Sequence, residues 1–238
     1  MVAITKKLIK RYGVHTRYRS KDGTILPGNT TIVGGWGENK GTLMNWGWKM
    51  GLEGIDIYAY MNEMKKIGTL GHAFIMGGLI GEKVDTNQYS SEQIDAAENA
   101  TLSWYEWQKG HKVEPILIET PLVSNEFLYG GTPDIYGKVD GKLEVTDIKT
   151  GSGIYESHYV QTVGYKQLLE ENGHKVEVVR ILNVPRTEDE SFKGEIVKDV
   201  DIWWKIFKSL LNAYYEHKKI KPQYKKWGKY KKRKKVND

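Results

Sequence analysis

Apolar residues recur at helical spacing through the first half of the chain and in short alternating runs through the second. Lys40 to Trp48 and Gly54 to Ile67 carry them near every third or fourth position, which predicts two helices. Thr69 or Gly71 opens a third, with His72, Phe74, Ile75, Leu79 and Ile80. Ser90 or Ser91, followed by Gln93, has the form of an N-cap for a fourth helix running through Leu102, Trp104 and Trp107 to Gly110. Strands are then predicted at Val113–Glu119, Pro121–Leu128, Gly131–Val139 and Lys142–Thr150, the last two joined by Asp140-Gly141. Glu156–Glu171 reads as an amphipathic helix stopped by Asn172-Gly173. Lys175–Asn183 is rich in β-branched residues and reads as a strand, Glu195–Val200 as an edge strand, and Asp201–His217 as a helix capped by Asp201. Ahead of all these, Arg17 to Ile25 with the turn Lys21-Asp22-Gly23 suggests a β-ribbon. Asn29-Thr30-Thr31 then leads into a glycine-rich connection at Gly34, Gly35 and Gly37. Helices first, then strands, then helix, strand and helix describe an α+β or mixed α/β chain with a helical N-terminal part.

Composition sharpens this picture. At 238 residues and 39% hydrophobic, the chain suits one domain with a substantial core. The expected division is a single domain over 1–217, with the ribbon and helices in 1–110 and the strand-rich core in 111–217. No apolar run nears the roughly 20 residues of a membrane span, and the first residues lack the pattern of a secretory signal. Zero cysteines exclude disulfides and thiolate-held metals. A cytoplasmic or organellar setting is expected. The net charge of +6 is unevenly spread: residues 1–217 hold 25 Lys and Arg against 29 Asp and Glu, a net of −4. Eleven basic residues lie between Lys218 and Lys235, so 218–238 reads as a flexible basic tail able to attract a polyanion.

Candidate chemistry lies in the Asp140-Gly141 hairpin. With those two as the loop, Val139 faces Lys142 and every facing pair sums to 281, which sets Asp134 opposite Asp147. Facing carboxylates about 5 Å apart repel each other unless a cation lies between them. Lys149 projects from the same face as Asp147, about 6–7 Å along the strand. Ile148 points the other way, and its carbonyl remains available as a further oxygen ligand. Two carboxylates and a carbonyl suit Mg²⁺ or Mn²⁺, and an ammonium beside them suits phosphodiester hydrolysis. Glu119, at the end of the preceding strand, is a further candidate ligand.

Gly131-Thr132-Pro133-Asp134 followed by Asp147-Ile148-Lys149-Thr150-Gly151 resembles the PD-(D/E)xK nuclease superfamily. Within it, the chain is most similar to the RecB-type and phage or mitochondrial single-strand exonuclease branch. Gln161-Thr162-Val163-Gly164-Tyr165 resembles that branch's Gln-x-x-x-Tyr signature, and Gly68-Thr69-Leu70-Gly71-His72 its upstream histidine. Asn29-Thr30-Thr31 with Leu43 to Trp48 is similar to its N-terminal pattern. The resemblance implies a restriction-endonuclease-like core, a central mixed sheet flanked by helices. It implies Asp134, Asp147, the Ile148 carbonyl and His72 as metal ligands, and Lys149 serving the water or the scissile phosphate. Gln161 and Tyr165 would position DNA or brace Lys149.

Eight tryptophans and 15 tyrosines add possible stacking surfaces. Trp36, Trp46 and Trp48 are candidates; Trp104, Trp107, Trp203 and Trp204 read as core. In the tail, Lys225, Lys226 and Trp227 combine charge with an aromatic ring and are candidate DNA contacts. The expected function is a Mg²⁺- or Mn²⁺-dependent DNA exonuclease acting on single-stranded ends or flaps in repair, recombination or phage DNA processing. A helicase or single-strand annealing protein is a possible partner. Alternatives are a structure-selective endonuclease and an inactive DNA-binding recombination accessory protein. No P-loop is present, and Gly34-Gly35-Trp36-Gly37 matches neither phosphate-binding glycine pattern.

Overall fold

The computed structural model describes residues 16–37, 40–187 and 190–224. Four helices come first: α1 (Asn29–Val33), α2 (Lys40–Leu52), α3 (Ile57–Ile80) and α4 (Ser91–Lys109). Strands β1 (Val113–Ile118), β2 (Leu122–Ser124), β3 (Tyr129–Gly131), β4 (Ile135–Val139) and β5 (Lys142–Thr150) follow. The chain closes with α5 (Glu156–Glu171), β6 (Val178–Val184), β7 (Lys193–Ile196) and α6 (Val200–Tyr224). The expected α+β class, with a central mixed sheet between helices, is what the structure has. Among the described residues no helix is long and apolar enough to cross a membrane.

The main sheet runs in the order β1-β4-β5-β6-β7. Only β5 and β6 pair in parallel, because α5 carries the chain back between them. Alternation along β5 gives the sheet two different faces. Ile148 points to a cluster made with Ile75 and Met76 of α3, Ala100 and Trp104 of α4, and Ile118, Ile135 and Leu182 of the sheet. Val145 points the other way, to a larger cluster with Val163 and Leu168 of α5, Ile32 of α1 and Phe207 of α6. The fold is thus three layers, with α3 and α4 on one side and α1, α5 and α6 on the other.

Glu144 is a charge buried within this frame. Glu144 of β5 is 1% exposed and accepts two bonds from Arg180 of β6, at 2.6 and 2.9 Å. Thr146 donates to the same carboxylate at 2.8 Å, and the guanidinium sits over the Trp107 ring. A buried acid is tolerated there because its partner is aligned in two places.

Several elements differ from the sequence expectation. The helices expected over 54–67 and from Thr69 or Gly71 are one helix, α3. Asp56 caps it by accepting from the Tyr58 and Ala59 N–H groups, and Gly81 at φ 73° ends it. The Thr69 hydroxyl bonds back to the Lys65 carbonyl at 2.9 Å, so it does not start a helix. Asn29-Thr30-Thr31 begins the short α1. The N-terminal ribbon reduces to a single bridge between Arg19 and Ile25. Thr132, Pro133 and Asp134 interrupt the strand expected from Gly131, since proline supplies no N–H to a ladder. Residue 199 lies just ahead of α6 and its carbonyl accepts from Ile202 and Trp203, so Asp201 lies inside the first turn. That helix continues to Tyr224, past the expected end at His217. Ser90 does cap α4, and Gln93 returns the bond to form a capping box.

Candidate active site

The β4–β5 hairpin has the expected register, from Val139 opposite Lys142 to Ile135 opposite Thr146. Asp140 and Gly141 have φ of 51° and 82°, the left-handed pair a two-residue turn needs. One step further would set Asp134 opposite Asp147, but the ladder has ended by then. Asp134 instead turns its carboxylate to the N–H of Ile148, which donates to Oδ2 at 2.7 Å. Its own carbonyl accepts from the Glu119 N–H at 2.9 Å.

Asp147 faces the α5 side and is 1% exposed. Lys149 Nζ lies 2.6 Å from its Oδ2, an ion pair outside hydrogen-bond alignment. The ammonium donates instead to Gln161 Oε1 at 2.8 Å, and Gln161 Nε2 donates to the Tyr165 hydroxyl at 2.8 Å. Asn29, buried at the start of α1, donates to the main-chain carbonyl of Gln161 at 3.0 Å. Tyr165 packs against Gly131, where a Cβ would fall 2.8 Å from its ring. Lys149 is therefore held from α5 by Gln161, which Tyr165 and Asn29 hold in turn.

From the opposite layer α3 brings in His72. Its Nδ1 is 3.9 Å from Asp134 Oδ1, and its ring faces the Ile148 carbonyl. Close approach of α3 depends on Gly68: a Cβ there would lie 2.6 Å from Thr150 Oγ1. Gly68 and Gly71 thus let the helix lie against the end of β5. His72, Glu119 and Asp134 each offer one ligand atom within 4.8 Å of the others. Asp147, expected among the metal ligands, is not in that group; its carboxylate is drawn to Lys149. Glu119 takes its place, with φ of 40° at the end of β1. Its arrival beside Asp134 follows from Ile118 pairing with Ile135. A register shift between Pro115 and Leu117 lies in that ladder, so counting along the sequence does not reveal the pairing. The one available signal was an acid closing the apolar run Ile116-Leu117-Ile118.

The electrostatics follow from burial. Desolvation raises the Asp134 carboxyl above its usual range, while Lys149 and the Ile148 N–H pull it back. Asp147 is pushed up to about 6 by burial, against the pull of Lys149, with Asp134 adding to the rise. His72 is brought down to about 4 by burial and by Lys149. Burial and the two aspartates hold the Tyr165 phenol well above its ordinary value. The imidazole is thus neutral near pH 7, as a metal ligand must be. The half-buried carboxylates of Asp134 and Glu119, the His72 imidazole and a backbone carbonyl form a donor set, mostly oxygen, that fits a hard divalent cation such as Mg²⁺ or Mn²⁺.

His72, Glu119 and Asp134 line a cleft of about 1530 Å³. Thr150, Ser152 and Arg186 also line it, Arg186 paired with Glu190. Trp46 opens onto it, whereas Trp104 is core and Trp203 and Trp204 are half-buried against the α5–α6 cluster. Lys225, Lys226 and Trp227 lie outside the described residues.

No family model matches the chain, and neither does any curated protein. Solved structures resemble it in part. A protein from Eubacterium rectale provisionally named an exonuclease overlaps at a TM-score of 0.47 and 10% identity, over 64% of this chain and 68% of that one. An alkaline exonuclease from Laribacter hongkongensis overlaps at 0.33 and 12%, over 65% and 83%. The same enzyme in complex with dAMP overlaps at 0.32 and 11%, over 68% and 88%.

Proposed function

We propose that this chain is a Mg²⁺- or Mn²⁺-dependent deoxyribonuclease that removes nucleotides from single-stranded DNA ends or flaps. What carries the reading is one convergence. Asp134, Asp147, Lys149, His72 and Glu119 come from three strand ends and a helix to one point beside an open cleft. Asp134, His72 and Glu119 would hold the ion, with the Ile148 carbonyl beside them and Asp147 joining when Lys149 lets its carboxylate turn. Bound there, such an ion would supply Lewis-acid polarisation of a phosphate oxygen and a lowered pKa for a coordinated water.

The chain's own residues do the rest. Lys149, fixed by Gln161, presents a proton donor where charge grows on the phosphate or where the attacking water must be oriented. Gln161 keeps the ammonium aimed, and Tyr165 fixes which way the Gln161 amide points. Neutral His72 offers a lone pair at physiological pH. Processing in repair, recombination or phage replication, with a helicase or annealing protein presenting the strand, belongs to the same proposal.

The test is hydrolysis of end-labelled single-stranded DNA with Mg²⁺, Mn²⁺ or EDTA. Metal-dependent release of short products is expected, and an Asp147→Ala variant that cuts at the wild-type rate would sink the site assignment. Circular single strands separate exonuclease from endonuclease, since an exonuclease has no end to start from.

A further inference from the structure

Helix α2 is unusual in having no buried residue among those described. It is nonetheless rich in large apolar side chains, and Leu43 is 61% exposed. Leu43 and Trp46 lie one turn apart and line the cleft. Across from them, Tyr60, Met61 and Met64 of α3 line it too, with Tyr60 38% and Met61 54% exposed. The Trp46 and Tyr60 rings are 6.0 Å apart and tilted by 55°. One more feature gives this wall a direction. Met61, Lys65, Gly68 and His72 recur at three to four residues along α3 and all line the cleft. A single helix face therefore runs from the apolar wall to the candidate metal ligand, over about 16 Å.

We propose that the Leu43–Trp46–Tyr60–Met61 wall is a base-stacking subsite that receives single-stranded nucleic acid and leads its backbone to His72. The proposal deepens the nuclease reading and rests on it for the identity of the site being fed. Unpaired bases present π-faces to Trp46 and Tyr60, while Arg17 and Lys65, also on the cleft, serve the phosphates. A duplex keeps its base faces inside and has nothing to stack on the wall. A strand with an apolar side and an anionic side matches both walls at once. Bases, not sugars, are read here, so single-stranded DNA and RNA share the required chemistry.

The experiment measures binding without turnover. Fluorescence anisotropy of the full chain in EDTA is recorded with a labelled 20-mer of deoxythymidine, a 20-mer of uridine and a blunt duplex. Trp46→Ala combined with Tyr60→Ala is expected to weaken the deoxythymidine strand by about tenfold per ring lost. Trp46→Phe, which keeps a stacking face, should stay within about threefold, and the duplex should be unaffected. A parallel loss on the uridine strand is expected, because bases and not sugars are read; a uridine strand indifferent to the two rings overturns base stacking as the mode of binding. Unchanged affinity of the double variant for the deoxythymidine strand overturns the proposal. So does an equal fall on the duplex, or a change of oligomeric state by light scattering as the only effect. Hydrolysis of bis(p-nitrophenyl) phosphate with Mn²⁺ by the wild-type chain separates the two readings. An inactive chain whose strand affinity depends on Trp46 and Tyr60 keeps the subsite and loses the nuclease. An active chain with ring-independent affinity does the reverse.

Discussion

Asp147→Asn should make the metal-free protein more stable while removing its activity. In the fold, Asp147 holds its proton up to about pH 6, against an ordinary value of 3.8. The unfolded chain releases that proton near 3.8, so this contribution to stability is present below about pH 4 and is lost as pH rises through 6. At about 1.4 kcal/mol per pH unit, the gap amounts to roughly 3 kcal/mol of unfavourable charge burial at pH 7.5. Asparagine keeps the shape and drops the charge. For a domain of this size, 1 kcal/mol moves Tm by about 2–4 °C, which predicts a rise of roughly 6–12 °C in EDTA at pH 7.5. His72 works in the opposite sense. Its folded value near 4 contributes stability above pH 6.5 that is lost as pH falls towards 4. It does so in both proteins, so to first order it cancels in the difference. Thermal unfolding followed by circular dichroism at pH 7.5 and pH 4 is the assay. The gap between variant and wild type should close at pH 4, where both side chains are neutral. A variant no more stable than wild type at pH 7.5, or a gap of equal size at both pH values, would refute the reasoning.

Gln161→Ala should cut DNA hydrolysis by about 10- to 100-fold with little change in fold, because it removes the amide that aims Lys149; Lys149→Met should cost more, about 10²–10³, and steady-state rates order the two. Gly68→Val should push α3 off Thr150 and carry His72 away, weakening Mn²⁺ binding by about tenfold or more in calorimetry. Arg180→Met should destabilise the fold by about 3–5 kcal/mol in urea unfolding, since Glu144 would remain buried without its partner. Mn²⁺ binding should tighten between pH 5 and 7 as Asp147 loses its proton, with proton release read from calorimetry in buffers of different ionisation enthalpy.

The parts of the site that local rules govern were legible in the sequence. Asp140-Gly141 dictates a two-residue turn, and the count from it brings Asp134 to the end of the ladder beside Asp147. Four-residue spacing on α5 puts Gln161 and Tyr165 on one face, and the structure joins them to Lys149. What could be read only in part, or not at all, depends on distant packing. Glu119 is a candidate ligand from its place at a strand end, but it reaches the metal-ligand group through a β1–β4 ladder whose irregular register no count along the sequence reveals. Thr69 and Gly71 suggest a helix start to local propensity, yet in the fold this stretch is mid-helix, and Gly68 and Gly71 mark where α3 meets Thr150 and Ala100. The orientation of Asp147 towards Lys149 is a matter of side-chain torsion, on which residue spacing is silent.

Strand β5 buries an acid on each of its faces, Glu144 towards Arg180 and Asp147 towards Lys149. A slip of one residue would drive Asp147 and Lys149 together among Ile75, Met76 and Trp104 and turn Ile148 towards α5. It would also part Glu144 from its guanidinium. Misaligned chains are thus rejected twice during folding, once on each side of the sheet. The Glu144–Arg180 side of that proofreading is untouched by substitutions at Asp147 or Lys149. Variants at those positions should fold in the native alignment, so their lost turnover can be read as lost chemistry.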